Sequence, residues 1–401
     1  MKYDFDRVID RKDTNDLKWR TQAVASYLKR EVPEDMIPMW IADTDFACAP
    51  VILEALKKRT DQEILGYCGP GAAYYRAVCY WQRERFGWEV RPEWMTTVPT
   101  VVAAINVAIR AFSRKGEGVI IQQPVYDPFA TIIRQTERVV VNNGILLKDG
   151  HYKMNLKELE ELAKAPENTM MILCSPHNPV GRVWSEEELE EAAGICLRNG
   201  VMIVSDEIHS DIVFSGHRHY PLLSLKEEYA QSFIHLCSTG KTFNTAGLKI
   251  STAIIPNEEL REKFRRTQVE MSLDIRNTFG LECVEAAYTP EGMEWLEEAL
   301  AYMESNVDMV EEFVKTRMPG VSMVRPEGTF LCWLDMSGLG MGEEELYQRI
   351  IFGAGVICVQ GSWFGEGGSG HLRLNVGCPA KVLMTALERI RGELFKAVNA
   401  D

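Results

Sequence analysis

A chain of 401 residues is too long for one small core, and its length favours two domains with room for a closed site. Hydrophobic residues at 46% and charged residues at 25% exclude a disordered or fibrous chain. A net charge of −14 without any Lys/Arg block excludes a nucleic-acid surface, and no apolar run reaches the roughly 18 residues of a membrane span.

In chain order, the N-terminal segment is polar and acidic and lacks the apolar core of an export signal, so the cytoplasm is the expected compartment. The 10 cysteines form no Cys-x-x-Cys pair and read as reduced core or lining residues. Segment 37–46 precedes a first helix at 50–59 and is expected to pack against the C-terminal part. A strand at 95–98 runs into Pro99-Thr100-Val101-Val102, which opens an apolar helix whose N–H groups suit an anion.

Apolar runs at 118–122, 138–142, 170–174, 201–205, 233–237 and 251–255 read as buried strands. Helical patterns separate them, among them 185–198, where Ser185 and Glu188 make a capping box. Short apolar strands alternating with helices predict a mostly parallel sheet covered on both faces. After about Phe279 the pattern turns to long amphipathic helices, then to strands at 330–335, 356–360 and 371–376 of a smaller α/β unit. The expected division is 46–285 as a large domain, with 1–45 and 286–401 as the small one.

In open parallel sheets ligands sit at the carboxyl ends of strands. Strand 170–174 is followed by Ser175-Pro176-His177-Asn178-Pro179, strand 201–205 by Asp206-Glu207-Ile208-His209, and strand 233–237 by Ser238-Thr239-Gly240-Lys241. An amide, a carboxylate and an amine in this order match the needs of a pyridine aldehyde. The amine forms an imine, the carboxylate keeps the ring nitrogen protonated, and the amide donates to the phenolic oxygen. Each motif alone has an ordinary reading, as a turn, a helix start or a surface lysine. The set is the signal.

The set resembles the fold-type I pyridoxal 5′-phosphate (PLP) enzymes of the class I and II aminotransferase superfamily, and within it the MalY/PatB group of cystathionine β-lyases. The likeness runs from segment 37–46 to Arg373-Leu374-Asn375-Val376-Gly377-Cys378-Pro379. It implies the fold-type I architecture: a large domain with a mostly parallel sheet between helices, plus a smaller α/β domain. It also implies that Lys241 is the Schiff-base lysine and the base for the Cα proton, that Asp206 pairs with the pyridine nitrogen, and that Asn178 donates to the phenolic oxygen. Tyr126 stacks on the ring, and His209 falls where transaminating relatives commonly carry Tyr.

By the same resemblance Thr100, Val101, Val102 and Ser238 take the phosphate. Tyr67, counted among the catalytic residues, reaches the phosphate of a neighbouring subunit, which implies a homodimer with shared sites. Lys249 stands where many aminotransferases have an Arg on the phosphate, and Lys binds as a point charge rather than bidentately. Arg373 clamps the substrate α-carboxylate, with Ala42 and Asn178 beside it. His217 and His219, on a polar loop without nearby Cys or paired carboxylates, are expected to be solvated and to hold no metal.

The cofactor fixes the reaction class less tightly than the site, because one Cα carbanion can be reprotonated, giving transamination, or can expel a β-thiolate. The expected reaction is α,β-elimination on L-cystathionine or related cysteine derivatives, yielding a thiol, pyruvate and ammonia. An amino-acid aminotransferase is the alternative among enzymes, and a regulatory, protein-binding role the alternative outside them. A nicotinamide enzyme is set aside, because no Gly-x-Gly-x-x-Gly directly joins an expected strand to a helix.

Overall fold

Strands that are apolar on both faces need cover on both, and the computed structural model, which describes residues 1–396, supplies it except for Val139–Asn142, expected as buried but only half-covered because it is the sheet's edge strand. Seven strands form one sheet in the spatial order Met95–Val98, Ser251–Ile254, Ile234–Cys237, Met202–Asp206, Asn168–Cys174, Gly118–Ile121 and Val139–Asn142. Pairing is parallel from Ile234–Cys237 through Val139–Asn142, while Ser251–Ile254 runs antiparallel to both of its neighbours. Successive side chains feed opposite cores. Val119, Ile121, Met170, Ile172 and Val204 pack into one, and Ile120, Met171, Leu173 and Ile203 into the other.

Helix Val101–Phe112 is apolar because seven of its residues, Val101, Ala104, Ile105, Val107, Ala108, Ile109 and Ala111, are buried. Its N-terminus is fixed by Thr100, whose hydroxyl accepts from the Ala103 N–H at 3.0 Å. The predicted capping box forms on helix Glu186–Arg198: Glu188 N–H donates to Ser185 Oγ at 3.2 Å, and Ser185 N–H donates to Glu188 Oε2 at 3.0 Å.

From residue 278 on come the 10-residue helix Thr278–Ala287 and the 28-residue helix Pro290–Arg317. The latter buries Leu296, Ala299, Leu300, Met303, Val307 and Val310 at three- and four-residue steps. A second sheet, all antiparallel, has the order Ser322–Met323, Leu331–Asp335, His371–Asn375, Val359–Gln360.

The run expected as one strand at 356–360 is instead divided at Cys358. Val356–Ile357 pairs in parallel with Ile37–Pro38, whereas Val359–Gln360 pairs with His371–Asn375. One short run serves two sheets, so the chain must turn between them. The Ile37–Pro38 pairing also carries the N-terminal segment onto the C-terminal part of the chain. Among the described residues no helix is long and apolar enough to cross a membrane.

Candidate active site

Three strand ends of the large sheet, the first turn of helix Val101–Phe112, segment 40–42 and strand His371–Asn375 surround a cavity of about 490 Å³. Ala42, Thr100, Val101, Val102, Tyr126, Asn178, Asp206, His209, Ser238, Lys241, Lys249 and Arg373 all line it. Tyr67 does not: its side chain is fully exposed on the loop before helix Ala72–Phe86.

Lys241 sits on the short helix Thr239–Thr242, capped by Ser238, whose hydroxyl accepts from Gly240 N–H at 3.1 Å. Its Nζ donates to the Ala42 carbonyl. Burial pushes the amine down to about 8, with Asp43 and Asp206 pulling upward and Arg373 and Lys249 downward. The amine is thus far easier to deprotonate than a surface lysine.

Asp206 ends the central strand Met202–Asp206, is buried, and accepts from Ile208 N–H at 3.1 Å. Burial pushes its carboxyl up to about 7, although Lys241 lies close enough to oppose the rise. His209 is buried against Phe330, with ring centroids 5.8 Å apart, and burial holds it well below the ordinary histidine range. The imidazole is therefore neutral, and its Nδ1 has no hydrogen-bond partner within the chain.

Arg373 reaches across from the second sheet. It donates through Nη1 to Asn178 Oδ1 at 3.1 Å and through Nη2 to the Trp40 carbonyl at 2.5 Å. The first bond turns the Asn178 oxygen toward Arg373 and leaves the amide N–H groups for other acceptors. Tyr126 meets Phe129 and Trp363 edge-on, at centroid distances of 5.7 and 5.9 Å. Ser238 also donates its hydroxyl to the Ile250 carbonyl at 2.7 Å, so its proton is engaged within the chain. Lys249 is exposed at the rim, with its backbone in the left-handed region at φ 51°.

Sequence reasoning missed part of the wall. Trp40, Ile41, Val359 and Trp363 give the cavity an apolar side. Asp43, which acts on Lys241, is anchored by Arg11 and Lys18. Trp40 and Ile41 stand beside Ala42 and could have been found from the same segment. Trp363 carries no local signal, because only the fold brings the 361–364 turn to Tyr126. His219 is a correction: it is buried, not solvated, because its Nε2 meets the Glu207 carboxylate at 2.7 Å. His217 remains exposed.

Residues 34–390 match the family described as aminotransferase class I and II. Cystathionine β-lyase PatB from Bacillus subtilis is 40% identical over 390 residues, 97% of this chain and 99% of that protein. Among solved structures, cystalysin from Treponema denticola, which contains a pyridoxal 5′-phosphate cofactor, superposes with a TM-score of 0.94 at 36% identity, covering 98% of this chain and 99% of that one. The PLP-bound C–S lyase from Staphylococcus hominis gives 0.91 at 30% identity, covering 99% of each chain.

Proposed function

The chain belongs to the class I and II aminotransferase family, and we propose that it is a PLP-dependent carbon–sulfur β-lyase acting on L-cystathionine or related S-substituted cysteines. The observation that carries this reading is the convergence of Lys241, Asp206, Asn178 and Arg373 on one cavity in a chain so similar to named C–S lyases.

The residues present fit the cofactor. Asp206 is a buried carboxyl on the cavity wall, where a protonated ring nitrogen would relieve the cost of its charge. His209 offers a neutral imidazole, and the first turn of helix Val101–Phe112 offers backbone N–H groups to a phosphate. When bound, PLP supplies an aldehyde that links to amines and an electron-poor ring that stabilises negative charge at the substrate Cα.

The chain's own residues do the rest. Arg373 holds the substrate α-carboxylate by two-point contact, and Asn178 follows it because the two are bonded to each other. Lys241, poised near neutral, takes the Cα proton at Nζ and then delivers a proton to the sulfur. The C–S bond breaks with its electron pair on sulfur. The product is the thiol, while the three-carbon fragment takes up water to become pyruvate and ammonium. Trp40, Trp363 and Val359 give the thioether an apolar wall that limits water at the reacting atoms.

A second copy of the chain completes the site. Tyr67 is fully exposed and stands near exposed Ile64 and Leu65, an arrangement suited to burial against a partner whose cavity the hydroxyl enters. The domain division lies near residues 45 and 285, with segment 1–45 joining the C-terminal unit through the Ile37–Pro38 pairing. The compartment is the cytoplasm, consistent with 10 free cysteines.

The test is a steady-state assay of purified, PLP-loaded protein with L-cystathionine, in which pyruvate is expected and Lys241→Ala abolishes it. Amino transfer to an oxo acid without pyruvate would replace this reading by that of an aminotransferase.

A further inference from the structure

Directly after Asp206, on the opposite side of the chain, lies a second buried carboxylate with no place in the chemistry above. Glu207 is wholly inaccessible, yet it is the hub of a polar cluster. Its Oε1 accepts from Ser205 Oγ at 2.7 Å and from Leu222 N–H at 3.2 Å, and lies 3.1 Å from His235 Nδ1. Its Oε2 meets His219 Nε2 at 2.7 Å. The partners come from the 202–206 strand, the 234–237 strand and the segment 219–222. Trp88 stacks edge-on over His235 at 5.1 Å, and Phe86 over His219 at 5.5 Å, sealing the cluster from water.

Such a cluster is a poor device for stability alone. Burying ionised groups is costly, and apolar replacements of similar volume are often neutral or stabilising. What it does well is fix position. Asp206 has a short side chain, so its carboxyl goes where the backbone at 206 and 207 points it. As far as residue 207 that backbone is held by the ladder from both neighbouring strands: Ser175 N–H donates to the Asp206 carbonyl at 3.0 Å, and Glu207 N–H to the Leu236 carbonyl at 2.9 Å. Beyond that the strand ends, and the Glu207 side chain takes over.

We propose that Glu207 is a positioning residue for Asp206: held by Ser205, Leu222, His219 and His235, it locks the strand end so that the Asp206 carboxylate meets the cofactor's ring nitrogen. The inference rests on the PLP reading of the cavity. Glu207 touches neither substrate nor cofactor and acts only through its neighbour. His235 is the counter-ion: the Glu207 carboxylate raises it to about 10 despite burial, so the pair adds no net charge beneath Asp206.

The test is a PLP titration of purified protein, followed by visible absorbance and visible circular dichroism. Glu207→Gln keeps the shape but presents an N–H where an acceptor is required. It should weaken PLP binding at least tenfold and change the visible dichroic band. His219→Leu should do the same more mildly, and His219→Gln, which keeps a donor toward Glu207, should restore binding toward wild type. This pair serves if Glu207→Gln does not fold. Val310→Ala, a truncation in the core of helix Pro290–Arg317, supplies the structural control: it should lower the melting temperature while leaving PLP affinity within twofold.

Wild-type affinity and dichroism in Glu207→Gln, or in His219→Leu where the former is insoluble, would overturn the inference. So would a loss of affinity in Val310→Ala equal to that in the cluster variants. A wild-type protein that takes up no PLP would instead overturn the cofactor reading itself, and this inference with it.

Discussion

Asp206→Asn should move two properties in opposite directions. In the PLP-free protein the carboxyl is buried, with one backbone N–H on Oδ1, and is pushed from its ordinary 3.8 up to about 7. At ~1.4 kcal/mol per unit, the charged side chain destabilises the folded state by about 4 kcal/mol above pH 7. The sign follows from proton counts: between about 4 and 7 the folded state holds a proton that the unfolded state has released, so stability falls as pH rises through this window and is level above it. Removing the charge should therefore stabilise PLP-free protein by up to about 4 kcal/mol at pH 8 but only about 1 kcal/mol at pH 4.5. With an unfolding entropy of roughly 2 cal/mol/K per residue, the pH 8 gain is about 5 °C in melting temperature. The same substitution removes the anion expected at the ring nitrogen and should weaken PLP binding and elimination by orders of magnitude. Differential scanning fluorimetry at the two pH values, with and without PLP, reads both effects. A PLP-free variant less stable than wild type at pH 8, or a gain that does not depend on pH, would refute the reasoning.

Arg373→Lys keeps the charge but loses the second of two parallel contacts. One charge-assisted hydrogen bond at ~1.5 to 3 kcal/mol predicts a fall of roughly 10- to 150-fold in kcat/KM for L-cystathionine with an unchanged PLP spectrum, and a loss under threefold would argue that Arg373 does not hold the carboxylate. Because burial holds Lys241 at about 8, capture of PLP by cofactor-free protein should quicken about tenfold per pH unit below pH 8 and level off above it. A rate still climbing toward pH 10 in stopped-flow absorbance would show an ordinary lysine. Mixing inactive Lys241→Ala and Tyr67→Ala proteins under subunit exchange should restore about a quarter of wild-type activity, since about half the dimers would carry one intact site. No recovery at any ratio would remove Tyr67 from the neighbouring site.

What the sequence made legible was periodic or local. Run 170–174 is apolar at every position, and 233–237 at all but His235, because both faces of the strand are covered, and the structure places strands there, shifted by a residue or two at the ends. Asn178, Asp206 and Lys241 could be read because each follows such a run directly, and a parallel sheet brings successive strand ends to one edge. Where the information is long-range, the reading failed or ran out. Whether 356–360 is one strand or two depends on Ile37–Pro38 and His371–Asn375, more than 300 residues apart in sequence. Trp363 reaches the cavity only through the packing of the second sheet.

His219 shows the limit most sharply. On composition its loop is polar and argues for solvent, but a buried carboxylate 12 residues earlier reverses that argument by supplying a partner that water would otherwise provide. Glu207 could not be distinguished from a helix-starting acid in the sequence, because its meaning lies in Ser205, His219, Leu222 and His235, which three segments bring to it. The residues proposed to do the chemistry were thus visible at strand ends, while those proposed to hold them in place were not. A positioning residue is defined by its partners, and partners are set by topology rather than by spacing along the chain.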